Sequence, residues 1–260
     1  VSAGRILVTR EGPAAHVRFD NPAAYNALTT QMWLDLRDVA RGFSEDPSIR
    51  VVTFRGTGGK AFISGTDIAK FAGYRTGEQG VEYEREIDDC MGAVDAIPCT
   101  TIAAVEGWAV GGGINIASAC DFRIATPDAK FGSPIGRTIG NCLSAASVAR
   151  IGAAVGVQFA KRMVLLGEML TADQLLASGF LLKLTPREEM ETELAALCAR
   201  AAENAPLTTR VTKETIRRMT FGQLPEIEGL IAQVYGSTDF RRGVSHFLAK
   251  TKRVPDWTGE

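Results

Sequence analysis

The chain has 260 residues, 45% of them hydrophobic and 23% charged, and a formal net charge of −1. That length fits one large domain, or a core with an appendage, and allows a substantial apolar interior. The near-neutral charge argues against a nucleic-acid or membrane-surface binder, and no apolar run reaches the ~18 residues that suggest a membrane span.

The chain opens at Val1 rather than at a methionine, which points to trimming or processing, and VSAGRILVTREG lacks the basic-then-apolar pattern of a signal peptide. RILVTREG and AAHVRFDNP read as two short strands joined by a turn at Glu11-Gly12-Pro13. In TTQMWLDLRDVARGF, Met32, Leu36, Val39 and Phe43 recur at helical intervals. IRVVTFRGTGG is a β-branched strand running into a glycine turn, followed by AFISGTDIAKF and an acidic helical stretch around Glu82 to Val94. CTTIAAVEGWAV reads as another strand, ending at Gly111-Gly112-Gly113, and DFRIATPDAKFG as one more after the next helix. This alternation predicts an α/β fold with a mostly parallel, helix-covered sheet.

From about residue 155 the pattern turns helical. Phe159, Met163 and Leu166 share one face ahead of Gly167. Thr171 with Gln174, and Thr185-Pro186 with Glu188, have the form of capping boxes. Ile227, Leu230, Ile231, Val234 and Tyr235 form one apolar stripe, and Phe240, Val244, Phe247 and Leu248 another, each suited to the protein's own core or to an identical subunit. The expected division is an α/β core over residues 1–195 and a helical C-terminal region over 196–260. There is no internal sequence repeat and no low-complexity linker.

Five cysteines, an odd number with no CxxC pair, favour reduced thiols in a cytoplasm over disulfides or a zinc site. With only His16 and His246 in the chain, a histidine-based metal site or a Ser-His-Asp triad is not expected. A strand that ends in three glycines and enters a helix leaves free N–H groups at the helix N-terminus, where an anion or a developing oxyanion is stabilised. The plainer explanation is a tight turn where side chains would clash. SGTDI, however, is a second glycine turn between a strand and a helix, and two donors from separate turns suit the oxygen of a thioester enolate.

Five segments, in order, resemble the enoyl-CoA hydratase/isomerase (crotonase) superfamily over nearly the whole chain. They are FDNPAAYNALT, KAFISGTDIAKF, AAVEGWAVGGGINIASACDFRIATPDAKFG, LTADQLLASGFLLKL and STDFRRGVSHFLAKTKRVPDW. The resemblance implies a β-β-α spiral core with a helical trimerisation region, assembled as a homotrimer or dimer of trimers. It implies an acyl-CoA thioester as substrate, with coenzyme A belonging to the substrate and no separate cofactor or metal. The oxyanion donors would be the backbone N–H groups of Thr66 and Gly112.

The chain departs from the family's two-glutamate hydratase pattern. Asn115 stands at the position matching the first glutamate and Ile135 at that matching the second. Neither moves a proton near neutral pH, although an asparagine can position a water or a hydroxyl. The resemblance places GRTIGNCLSAAS on the wall facing the acyl group. There Cys142 is either a nucleophilic or proton-taking thiol or a small buried residue at a helix start. Thr138 and Asn141, with Arg137, either bind a polar acyl group or serve as turn and cap residues. Glu82, Glu84, Glu86, Asp88 and Asp89 read mostly as a solvated face bordering the pocket. Asp67 and Asp121 read as structural. Lys70, Lys250, Lys252 and Arg253 are candidates for the CoA phosphates, or plain surface. Two functions remain open: an acyl-CoA enzyme with non-standard acid/base groups (hydratase, isomerase, hydrolase or C–C lyase), or a catalytically silent acyl-CoA-binding pseudoenzyme. A dinucleotide-binding oxidoreductase is disfavoured because the glycines lack G-x-G-x-x-G spacing.

Overall fold

The first two strands, β1 (Arg5–Glu11) and β2 (Ala14–Asp20), form the expected antiparallel hairpin, with Gly12 in the left-handed region at its turn. The computed structural model describes residues 4–251 and 254–259. Helix α1 (Thr30–Glu45) follows, capped by the Thr29 hydroxyl and burying Met32, Trp33, Leu36 and Phe43. Three units of two strands and a helical segment then succeed one another. The first is β3 (Val51–Gly56), β4 (Ala61–Ile63) and α2 (Gly77–Asp95), and the second is β5 (Thr100–Val105), β6 (Trp108–Val110) and α3 (Gly112–Ala119). The third is β7 (Phe122–Ala125), β8 (Lys130–Gly132) and the short α4 (Ile135–Thr138). Beyond them lie α5 (Ala145–Val155), α6 (Val157–Leu165), β9 (Leu170–Thr171), α7 (Ala172–Ala177), β10 (Lys183–Leu184) and α8 (Met190–Ala202). The chain ends in α9 (Pro206–Phe221), α10 (Glu228–Tyr235) and α11 (Thr238–Leu248).

In each unit the first strand joins a six-stranded sheet, β1-β2-β3-β5-β7-β10, and the second a four-stranded sheet, β4-β6-β8-β9. This is the β-β-α spiral that the sequence resemblance implies. The main sheet is parallel apart from the β1–β2 hairpin. Its central strands are buried on both sides, which makes them continuous apolar runs. Val52, Phe54, Ala103 and Val105 enter the main core, whereas Val51, Ile102 and Ala104 pack under Met190, Leu194 and Cys198 of α8.

Two long strands expected from sequence are each broken in two. CTTIAAVEGWAV divides at Gly107, whose left-handed backbone lets the Lys60 carbonyl occupy the space of a side chain. DFRIATPDAKFG divides at the Thr126–Ala129 turn. The Thr171–Gln174 capping box forms. The one expected at Thr185 does not: a 3₁₀ turn at Arg187–Glu189 precedes α8, and the buried Thr185 hydroxyl has no partner among the described residues. Leu166, expected on the inner face with Met163, is largely exposed. Among the described residues no helix is long and apolar enough to cross a membrane.

Candidate active site

The two glycine turns meet. Leu28 forms a parallel bridge with Thr66: its N–H donates to the Gly65 carbonyl at 2.8 Å, and its carbonyl accepts from the Asp67 N–H at 2.9 Å. In that geometry the flanking residues face Leu28, and the N–H of Thr66 points the other way, toward the β6 side. There Gly111, at φ +53°, spends its own N–H on the Gly132 carbonyl, and its carbonyl receives the Asn115 N–H that opens α3. A methyl on Gly111 would lie 3.7 Å from the Gly65 Cα, and one on Gly112 3.9 Å from the Gly65 carbonyl carbon. Gly112 opens α3, where an N–H has no partner within the helix. Among the described residues no hydrogen bond engages the amide of Thr66 or of Gly112.

Each glycine of the triplet has its own physical reason. Gly111 needs the left-handed backbone, and a side chain on Gly113 would strike the Ile63 carbonyl. A Cβ on Gly112 would lie 2.9 Å from the Trp33 ring. The same indole donates from Nε1 to the Thr66 Oγ1 at 3.2 Å, so one residue of α1 braces both turns. Thr66 Oγ1 also shares a 2.9 Å hydrogen bond with the Tyr83 hydroxyl. Asp67 caps the next turn by accepting from the Ala69 N–H.

Asn115 is buried just below this point, and both ends of its amide are occupied. Nδ2 donates to Ser147 Oγ at 3.0 Å, and Oδ1 accepts from Arg150 at 3.0 Å. Arg150, itself buried, grips Asp95 through Nε and Nη2 at 2.6–3.1 Å. Ile135 is buried at the start of α4, and Thr138 turns its hydroxyl onto the Pro134 carbonyl. Asn141 Nδ2 donates to the Tyr235 hydroxyl at 3.2 Å. Cys142 is half-buried, and burial reinforced by nearby Glu84 pushes its thiol up to about 12, so it is protonated at neutral pH.

The acidic stretch on α2 divides between two faces. Glu82, Glu86 and Asp89 reach solvent, while Glu84 and Asp88 turn inward. Glu84 Oε1 accepts from the Tyr235 hydroxyl at 2.7 Å, and Oε2 from the Ser144 N–H at 3.0 Å. Burial, opposed by these two bonds, raises its pKa to about 7, and the Asp88 charge adds to the rise. Asp88 accepts from the Ser144 hydroxyl at 2.6 Å, and burial raises its pKa as well. The reading of this run as solvated is therefore corrected at Glu84 and Asp88. Their signal was present: positions 84, 87, 88 and 91 fall on one helical face, together with buried Ile87 and Met91.

The site is roofed by the chain's own C-terminal helices. Gly80 on α2 leaves room for the Tyr235 ring and Gly77 for the Ala232 carbonyl, where side chains would collide. Tyr235 packs edge-on against Phe71 at 6.1 Å and lies 6.3 Å from the Tyr83 ring. Gly243 of α11 sits against the Ile139 carbonyl.

The basic candidates are dispersed. Lys70 lies 4.5 Å over the Tyr83 ring and 3.8 Å from Glu86, and burial lowers its pKa. Lys250 is exposed just beyond α11, whereas Lys252 and Arg253 lie outside the described residues. His16 bonds Thr53 in the main sheet, away from the glycine turns. Asp121 holds Lys213 and the Thr101 N–H, in keeping with a structural role.

Residues 9–260 match the sequence profile of the enoyl-CoA hydratase/isomerase family. The chain belongs to that family. Among its relatives is a crotonyl-CoA hydratase of Syntrophomonas wolfei, 28% identical over 252 residues, covering 95% of this chain and 96% of the relative. Among solved structures, an enoyl-CoA hydratase/carnitine racemase from Magnetospirillum magneticum is 34% identical, with TM-score 0.80, over 100% of this chain and 97% of that one. A methylmalonyl-CoA decarboxylase in complex with 2-nitronate-propionyl-CoA superposes with TM-score 0.88 at 25% identity, over 98% of this chain and 99% of that one. The family match thus spans both glycine turns, the inward face of α2 and the roofing helices.

Proposed function

We propose that this protein is an acyl-CoA enzyme that binds a thioester carbonyl between the N–H groups of Thr66 and Gly112 and stabilises the enolate formed from it. The observation that carries this reading is the pair of unengaged amides on two glycine turns in mutual contact. Such a donor contributes roughly 3 kcal/mol to a transition state when it is aimed at developing charge. The dipole of α3 adds to the field at Gly112. Relatives named as a hydratase and a decarboxylase of acyl-CoA thioesters support the substrate class.

The ordinary two-glutamate hydration is not the reaction of this site. Asn115 and Ile135 stand where the family resemblance expects carboxylates, and the Asn115 amide is held by Ser147 and Arg150. The reaction is instead a non-standard hydration, isomerisation, hydrolysis or C–C cleavage that passes through the enolate. Lys70 and Lys250 remain the candidates for the CoA phosphates among the described residues. Leu207, Val211, Ile216 and Met219 of α9 are exposed apolar side chains, which fits burial of this helix against further copies of the chain as a trimer or dimer of trimers.

The enoyl-thioester absorbance of crotonyl-CoA tests the reading. Binding between two donors shifts the band to the red, and turnover bleaches it. An unchanged band at saturating protein would refute the proposal. A stable red shift with no chemistry on any acyl-CoA would leave an acyl-CoA-binding pseudoenzyme.

A further inference from the structure

A buried carboxylate is ordinarily neutralised by a cation, because desolvating an unpaired charge is costly. Glu84 is only 4% exposed, yet no lysine or arginine among the described residues bonds or pairs with it. Its partners are two dipoles, the Tyr235 hydroxyl and the Ser144 N–H. The Tyr235 oxygen receives Asn141 Nδ2, and the Asn141 Oδ1 is shut from solvent with no donor among the described residues. Tyr235 also lies beside Tyr83, whose hydroxyl holds the Thr66 side chain. The cluster therefore connects the 139–144 segment to one of the two oxyanion turns, and it retains an acceptor that the fold leaves unused.

We propose that Glu84 is the proton acceptor of this site, reached from the acyl group through the Tyr235 hydroxyl. The inference rests on the acyl-CoA reading above. In the step proposed, the C–H bond on the carbon next to the thioester carbonyl breaks and its proton passes to the Tyr235 oxygen as the tyrosine's own proton moves to Glu84 Oε1. The electron pair of the C–H bond becomes the enolate, whose oxygen lies between Thr66 and Gly112. Tyr235 remains neutral before and after, since burial and the neighbouring Glu84 hold its pKa well above the ordinary phenol value. Glu84, with a pKa of about 7, changes protonation state in the range where a general base works best.

The groups facing Glu84 agree with that role. Asp88 and Tyr83 on its own helix, Cys142 on the loop and Tyr235 on α10 supply no positive charge at neutral pH. Cations on the surrounding elements are held elsewhere: Arg85 by Glu228, Arg150 by Asp95, Lys70 by Glu86, and Arg37 and Arg41 by Asp89 on the outer face of α2.

Deuterium uptake into butyryl-CoA in D2O, followed by mass spectrometry, tests the step. The 13C resonance of the carbonyl-labelled thioester reports carbonyl binding independently. Wild-type exchange is expected to rise with pH through a midpoint near 7. Glu84→Gln should lose about 100-fold or more with no pH dependence left, Tyr235→Phe should lose at least about 10-fold, and Glu84→Asp should recover part of the rate. The shifted carbonyl resonance should persist in all three. Exchange in Glu84→Gln within about threefold of wild type would overturn the inference, as would a shifted carbonyl without any wild-type exchange. If Glu84→Gln does not fold, the wild-type pH profile and Tyr235→Phe decide. An unshifted carbonyl would instead defeat the acyl-CoA reading on which the inference rests.

Discussion

Two buried polar networks meet at Ser144 and Ser147, and they are built on opposite electrostatic plans. Below the two glycine turns, Arg150 and Asp95 cancel one another, and Asn115 accepts a further hydrogen bond from the arginine without adding charge. Beside it, Glu84 is surrounded by hydroxyl and amide dipoles, with Asp88 as a like charge nearby. The first arrangement fixes the α3–α5 contact. The second leaves a carboxylate poised between its two protonation states. A compensated pair holds structure, and an uncompensated acid can exchange a proton.

The largest effect is expected in the first network. Arg150→Met leaves Asp95 enclosed without its cation and should cost about 3–5 kcal/mol in denaturant unfolding. A loss below about 1 kcal/mol would mean that the pair is not sealed from water. In the second network the effect should appear as a pH slope. The folded-state pKa of Glu84 is raised from 4.5 to about 7, so its contribution is fully present below the unfolded value and is lost as pH rises through the folded one. Wild-type stability should therefore fall between about pH 4.5 and 7.5, by an amount on the order of 3 kcal/mol, with raised Asp88 adding in the same direction. Glu84→Gln mimics the protonated acid and should remove most of that slope. An unaltered slope would mean that Glu84 is hydrated in solution.

Asn115→Leu strands one donor of Arg150 and the Ser147 hydroxyl, and should cost about 2 kcal/mol while acyl-CoA binding survives. Loss of binding with stability intact would return Asn115 to the substrate side. The smallest effect is expected at Cys142. Its thiol, pushed up to about 12, should alkylate far more slowly at pH 8 than a free cysteine, and Cys142→Ser should alter stability by less than ~1 kcal/mol. Fast labelling would reopen a nucleophilic role.

Much of the fold was legible in the sequence because strands buried on both faces leave uninterrupted β-branched runs, and both glycine turns stood out. The division of strands at Gly107 and at Thr126–Ala129 was hidden because β4, β6 and β8 are only three residues long, too short for a period of two to register. At the site, the turns could be placed but not their contact, which depends on the parallel pairing of β4 and β6. Glu84 was masked by its neighbours: Glu82 and Glu86 are surface residues, and only the helical phase relative to Ile87 and Met91 turns Glu84 inward. The roof of α10 over α2 was harder still, since an apolar stripe does not say which surface it will cover. Its mark in the sequence is the pair Gly77 and Gly80, which make room for Ala232 and Tyr235.

The central claim is that the amides of Thr66 and Gly112 polarise a thioester carbonyl, and 13C NMR of carbonyl-labelled butyryl-CoA bound to the intact protein tests it most directly. The account requires the carbonyl resonance to move downfield on binding, as two hydrogen bonds draw electron density from the carbon. A resonance that stays at its free-solution position when the protein is saturated, or an acyl-CoA that does not bind, would contradict it.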